Sequence, residues 1–346
     1  MMASLRNPVS PDGRGTGSHP GFDPYRPLHG ELLGLPARAW IDRCNRLAEA
    51  GGLCSAAGAP LRFAIGSETQ DALGYEAAIF HEGRIVCRDE GRGAVHDLHN
   101  ALVWLTFPAV KATLNRLHVA FAQADDARRP GKTPMQGGHL RARGRVRDLA
   151  TLLDESGLLW LSCDTRLDAQ LQARDWRGLL VENRALVTTR VRPVVIGHGL
   201  LEKLAAPYKS MTAHCLICNL ARPHATGAAV GRPVHGEAGG SADTASGTAA
   251  RGMAPDNNAG DSLAVDCMAG DSMAIDSLAV DCMAAACIAA AFAGTSLPKL
   301  APLPILGLPG WDPANVDPSY YDDARVFRAP AKTAWRPLDV ARLHSG

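Results

Sequence analysis

Five groups of polar side chains in this chain are spaced so that they could do chemistry together. The first is His96-Asp97-Leu98-His99-Asn100. On a helix, His96 and Asn100 share a face, and a histidine beside a carboxylate is a general base with an orienting partner. The same Asp97, standing before an apolar-periodic segment, also suits an N-cap. The second is Gly197-His198-Gly199-Leu200-Leu201-Glu202-Lys203, where a strand gives way to a helix. A histidine at a helix start is favoured as the neutral imidazole, able to accept a proton or bind a metal. Glu202 lies one turn on along the same face, and Lys203 can contact an anion. Two ligands fall short of the three or four a metal site needs, so the metal stays open. A histidine packed under the strand–helix turn is the plainer alternative.

The other three carry less. Asp154-Glu155-Ser156-Gly157 pairs two carboxylates, but these are also the residues a hairpin turn wants, and the turn is the preferred reading. Asp148, on the strand expected before it, stays a binding candidate if it points inward. Arg141, Arg143, Arg145 and Arg147 alternate, so on a strand they would face one side and could meet phosphates. A solvated charge run is the commoner outcome, and few aromatics interleave to stack on bases. Cys215-x-x-Cys218, flanked by His214 and His224, has no second pair at zinc spacing and is a weak metal or redox signal. Asn115 and His118 make a further polar pair on one helix.

Hydrophobic spacing supplies the elements that would hold these groups. Residues 37–50 place Trp40, Ile41, Cys44 and Ala48 on one stripe, ended by Gly51-Gly52, which predicts a helix. A strand is expected at 61–65 and a hairpin over 75–88 with its turn at Glu82-Gly83. Helices follow over 97–106 and 108–123, the second opened by Pro108. Residues 126–144 read as loop, 146–153 and 158–163 as strands, 168–186 as a helix, 193–196 as a strand and 198–205 as a helix. Interleaved helices and strands give an α/β or α+β class, a single mixed domain over 22–220.

Three stretches stand outside that pattern. Residues 1–20 and 331–346 read as tails, and 221–296 as an insertion. Its second half repeats every five residues, DSLAV, DCMAG, DSMAI, DSLAV, DCMAA and then the decayed ACIAA. Six pentads are too few to stack the turns of a pentapeptide coil, so we read a duplicated, disordered surface insertion. Beyond it, Leu303 to Trp311 and Asp317 to Asp323 are rich in Pro and aromatics. They predict an arm over 297–330 that packs on the main domain but is neither a helix nor a central strand.

Apolar residues are 46 % of the 346 and the net charge is +1, so a sizeable core is available and the balance argues against nucleic acid or an anionic membrane as the main partner. The opening residues hold no apolar run and the apolar stretch 283–293 is short of the roughly 20 residues of a spanning helix. With nine cysteines at irregular spacing, the expectation is a reduced, cytoplasmic protein.

The combination His96-Asp97-Leu98-x-Asn100-Ala101-Leu102-x-Trp104-Leu105-x-Phe107-Pro108-x-x-Lys111-x-x-x-Asn115 resembles the signature of the DUF3025 family, a bacterial family of unknown function. Arg147-Asp148-x-x-Thr151-Leu152-x-Asp154-Glu155-x-Gly157 and Gly197-His198-x-Leu200-x-Glu202-Lys203, with Pro207 and Thr212-Ala213-His214, are similar as well, as is the arm. The resemblance covers roughly 22–220 and 297–330 and implies that 221–296 is peculiar to this chain. It supplies no activity or cofactor. Gly199 departs from the family's usual Ala and His99 from a larger aromatic, and the CxxC lies outside the pattern.

These readings converge on a hydrolase-like enzyme acting on an unknown small molecule in a pocket lined by His96, Asp97, Asn100, His198 and Glu202. One histidine would be the base and a carboxylate its orienter, with Asn100, Asp148 and Lys203 as binding contacts. The rival is a binding or assembly protein in which the same residues form a buried hydrogen-bond network. The enzyme reading requires the two imidazoles within about 10 Å at a concave rim.

Overall fold

A computed structural model describes residues 17–66, 72–126, 138–220, 277–294 and 297–329. Helices and sheets are mixed. After a 3-10 turn at Pro20–Tyr25 come α1 (Arg26–Leu32) and α2 (Ala37–Ala50). The predicted stripe of α2, Trp40, Ile41, Cys44 and Ala48, is buried. Residues 17–20 belong to the fold and not to a tail: His19 is buried and its Nε2 meets the Trp311 carbonyl at 3.0 Å. The remainder of the expected amino-terminal tail and the whole of 331–346 lie outside the described residues.

β1 (Arg62–Ile65) and β2 (Arg84–Cys87) pair in parallel, joined through α3 (Ala72–Glu82). The hairpin expected over 75–88 is therefore not formed. Parallel neighbours cannot be joined by a tight turn and need a crossover, which α3 supplies. Gly83 does punctuate the chain, but between helix and strand: its φ is +68°, and a Cβ there would sit 2.0 Å from the Pro60 carbonyl.

α4 (Gly91–Thr106) starts about a turn and a half before the predicted helix, and α5 (Pro108–Asp126) opens on its proline as expected. α6 (Gly138–Ser156) replaces both the carboxyl-terminal part of the loop expected over 126–144 and the strand expected over 146–153. Its buried residues Val146, Ala150 and Leu153 recur at helical spacing, which decides against the strand. Of Arg141, Arg143 and Arg145 only the helical backbone is described, so the four arginines do not share a strand face.

A four-stranded mixed sheet runs in the order β4-β3-β5-β6. β3 (Gly157–Ser162) follows α6 directly and is buried throughout. β4 (Val191–Val195) is antiparallel to it and β5 (Thr212–Asn219) parallel. Between β3 and β4 the single predicted helix over 168–186 is broken into α7 (Thr165–Ala173), a π turn at Gly178–Glu182 and α8 (Arg184–Arg190). Arg174 ends α7 in the left-handed region, φ +53°. β4 runs into α9 (His198–Lys203). Part of the arm adds a strand that the sequence did not suggest: β6 (Ala301–Pro304) pairs antiparallel with β5 at the edge, where prolines are tolerated.

The repeat is partly structural. Residues 221–276 lie outside the described residues, but Ser277–Ala293 forms α10, with Val280, Ala284, Cys287 and Ile288 buried against the core. Asp281, from the last regular pentad, caps α5: its two carboxylate oxygens accept from Ala109 N at 2.8 Å and Val110 N at 2.9 Å. Burial nevertheless holds its pKa up at about 6, against those two hydrogen bonds. The reading of 221–296 as a disordered insertion thus fails over its last turns, because a five-residue period still lays small and apolar residues on a helix face. Among the described residues no helix is long and apolar enough to cross a membrane.

Candidate functional site

Three helix segments meet at the site: the middle of α4, the carboxyl end of α6 and the start of α9. The meeting depends on two glycines. A Cβ on Gly197 would lie 2.4 Å from Gly157 N and 2.6 Å from Ser156 N, and one on Gly157 would lie 2.1 Å from the Leu153 carbonyl. With neither present, Ile196 N and Gly197 N donate to the Gly157 carbonyl at 3.0 and 2.9 Å. The first turn of α9 then lies against Asp154 and Glu155.

His96 and His198, 102 positions apart, come together with their Nε2 atoms 3.0 Å apart. His96 Nδ1 lies 2.9 Å from Glu202 Oε2. A carboxylate only accepts, so Nδ1 carries the proton and Nε2 its lone pair. His198 turns Nδ1 toward Asp154, whose Oδ2 is 3.7 Å away. Its Nε2 lies 3.5 Å from Glu155 Oε1, and that same oxygen is 4.0 Å from His96 Nε2. His96, Glu155 and His198 are thereby arranged as donors that could hold a metal ion. The His198 side chain is only 6 % exposed against 28 % for His96, so His96 is the more open to small molecules.

The electrostatics follow from burial and pairing. Burial, opposed by Asp154, brings the His198 pKa down to about 3, which keeps the ring neutral. Burial would raise Asp154, but Lys111, by its charge and its hydrogen bond, outweighs it and holds the carboxyl at about 2. Lys111 is itself buried, hydrogen-bonded to Asp154 Oδ1, with Nζ 5.6 Å from the Trp104 ring centroid. Burial raises Glu155 against the pull of His96.

These groups line one end of a cavity of 490 Å³. Its other walls carry Tyr75, Glu76, Arg88, Asp97, Asn100, Trp104, Asn115 and His118. Asn115 Nδ2 donates to the Glu76 carbonyl at 2.9 Å and to its Oε2 at 2.7 Å, which fixes the amide and leaves Asn115 Oδ1 buried without a partner. Asn100 is held by the Tyr75 hydroxyl at 3.2 Å, and its Oδ1 is also unpartnered, as is Trp104 Nε1. Burial raises Glu76.

The sequence candidates divide. His96, His198 and Glu202 meet, and Asn100 stands on the cavity wall. Asp97 is on the wall too, but it does not orient His96 and does not cap α4, which begins a turn and a half earlier. Its carboxylate instead takes Arg88: Nε at 2.9 Å and Nη2 at 2.8 Å, plus the backbone N of Arg88 at 2.7 Å. Asp148 and Lys203 are exposed and do not line the cavity. Cys215 and Cys218 are buried in β5 with their thiol pKa values pushed up, Cys215 by burial and Cys218 by Cys287 and by burial. Sequence reasoning passed over Glu155, Lys111, Glu76 and Trp104. Asp154 and Glu155 did stand out as paired carboxylates, but the hairpin reading removed them.

A family model described as "Protein of unknown function (DUF3025)" matches residues 61–331, more than half of the chain, and the protein belongs to that family. No curated protein and no solved structure matches it significantly.

Proposed function

We propose that the protein is a hydrolase-like enzyme acting on a small polar molecule held in this cavity. One observation carries the reading: two imidazoles from distant segments bring their Nε2 atoms together beside a carboxylate at the wall of a cavity of ligand size. A water in the cavity beside this cluster, within reach of His96 Nε2 and Glu155, has an acceptor for its proton. Glu202 is the positioning residue that keeps His96 in the right tautomer. The hydroxide so formed adds to the electrophilic atom of the scissile bond. The bond to the leaving group breaks, and that group takes up the released proton.

The far wall supports the substrate side of the reading. Asn115 Oδ1, Asn100 Oδ1 and Trp104 Nε1 are polar groups without partners, and leaving such groups unmet costs about 1–3 kcal/mol each. A molecule offering N–H or O–H to the two amides and an acceptor to the indole would meet them. Part of the network favours a structural role: the Asp97–Arg88 and Asp154–Lys111 pairs are already satisfied.

The test is a metabolite thermal-shift screen of the full chain, followed by turnover assays on the compounds that bind. His96→Ala should keep the fold and abolish turnover. Glu202→Gln should lower kcat more than it raises KM and shift the pH profile. If every compound bound by the native protein binds His96→Ala equally and none is turned over, the enzyme reading is wrong.

A further inference from the structure

We infer that His96, His198 and Glu155 form a binding site for a divalent first-row transition metal ion, with zinc the best match to the donor set. The inference deepens the hydrolytic reading and rests on the same cavity, but its test reads metal and not turnover.

Geometry is the first argument. The three donor atoms are separated by 3.0, 3.5 and 4.0 Å. A tetrahedral ion with bonds of about 2.0–2.2 Å needs neighbouring donors roughly 3.3 Å apart, so small side-chain adjustments close the site around an ion. Three protein donors leave a fourth position, and all three residues line the cavity. Two imidazoles and one carboxylate with an open position is the pattern of a catalytic, not a structural, zinc site. Magnesium and calcium prefer all-oxygen shells, which this donor set does not offer.

The proton inventory is the second. His96 gives its Nδ1 proton to Glu202 at 2.9 Å. His198 faces Asp154 with Nδ1. The two Nε2 atoms face each other at 3.0 Å; without an ion His198 Nε2 can donate to the His96 lone pair, and a cation between them would displace that proton and take both nitrogens as ligands. A carboxylate behind the outer nitrogen of a ligating histidine is also what fixes ring orientation and raises ligand basicity in metal sites, and Glu202 stands so behind His96.

Charge is the third. Lys111 neutralises Asp154 and Arg88 neutralises Asp97. Glu155 and Glu202 stand beside the two rings with histidines as their only ion-pair partners among the described residues, which favours a cation there.

The experiment uses the full chain, stripped with a chelator and dialysed. Titration with zinc chloride, followed by calorimetry, should give one ion per chain. Cobalt(II) loading should give the intense visible absorption of a four- or five-coordinate centre. His96→Ala, His198→Ala and Glu155→Gln should each lose at least tenfold in affinity, and Glu202→Gln about 10- to 100-fold, while His81→Ala, an exposed histidine elsewhere, binds as the native protein does. Circular dichroism checks that each variant folds, and the cobalt spectrum of the native chain stands even if one does not. No stoichiometric zinc binding, or the weak pink of six-coordinate cobalt, overturns the site, as does native affinity in the folded His96→Ala or Glu155→Gln. Bound zinc without turnover of any ligand would leave the site standing and defeat the hydrolytic reading. Ligand turnover without metal would do the reverse.

Discussion

Replacing Gly197 by alanine tests whether the close approach of α9 to the end of α6 is what builds the site. The added methyl would lie 2.4 Å from Gly157 N, 2.6 Å from Ser156 N and 2.7 Å from Ser156 C, where ordinary contact begins near 3.4 Å. All three are backbone atoms, so no side chain can swing away, and the two segments must part by about 1 Å. Overpacking of this kind costs about 1–3 kcal/mol. The bonds from Ile196 N and Gly197 N to the Gly157 carbonyl stretch as well, at about 0.5–1.5 kcal/mol each. The expected loss is about 2–6 kcal/mol in urea unfolding, with a zinc affinity at least tenfold weaker as His198 draws away from Glu155. Gly199→Ala is the control. Its methyl would meet chiefly the Glu155 carboxylate, 2.5 Å away, which is the end of a movable side chain. Alanine also gains up to about 1 kcal/mol over glycine in a helix. That variant should stay within about 1 kcal/mol of the native protein. If Gly197→Ala unfolds within about 0.5 kcal/mol of the native midpoint, the close approach is not what holds the two segments, and the argument fails.

Asp281→Ala should destabilise by about 1–2 kcal/mol through loss of the α5 cap, and Asp281→Asn by less, since an amide oxygen can still accept; equal stability in all three proteins would mean that α10 is not docked on α5. Asp97→Asn should cost about 1–3 kcal/mol by weakening its hold on Arg88 while zinc affinity stays unchanged, so a loss of metal binding in the folded variant would return Asp97 to the site. His29 is buried against Phe22, with ring centroids 4.6 Å apart, and burial, with His99 and Arg26, lowers its pKa to about 4. Its folded pKa is below the unfolded value of about 6.5, so the unfolded chain binds more protons in that window and stability falls as the pH drops from about 6.5 toward 4. Urea midpoints measured from pH 8 to 4.5 should show a shallower fall in His29→Leu, and an unchanged slope would refute the assignment.

What the sequence could and could not reveal follows from the range of the interactions involved. α2, α5, β3 and β4 were legible because local periodicity and a first-turn proline are written in adjacent residues. His96, His198 and Glu202 were legible because each sits in a short polar cluster with helical spacing. The failures share one cause. Whether 75–82 turns back as a hairpin or continues as a helix depends on β1 and β2 pairing in parallel, and that is a tertiary fact. Residues 146–153 contain apolar side chains compatible with either period, and choosing the strand made Asp154-Glu155 a turn. That one choice removed the third donor of the cluster. Asp97 looked like the partner of His96 because it is adjacent in sequence. On a helix, however, consecutive side chains diverge by about 100°, so Asp97 reaches Arg88 and the carboxylate that meets His96 comes from another helix, 106 positions on. The lesson from α10 runs the same way. A pentad of Asp, small and apolar residues has almost no amphipathic bias of its own, and only the free N–H groups at the start of α5 give Asp281 its place. The chemistry of this site was therefore visible as residue types, while its partners were set by which helix ends the two glycines allow to touch.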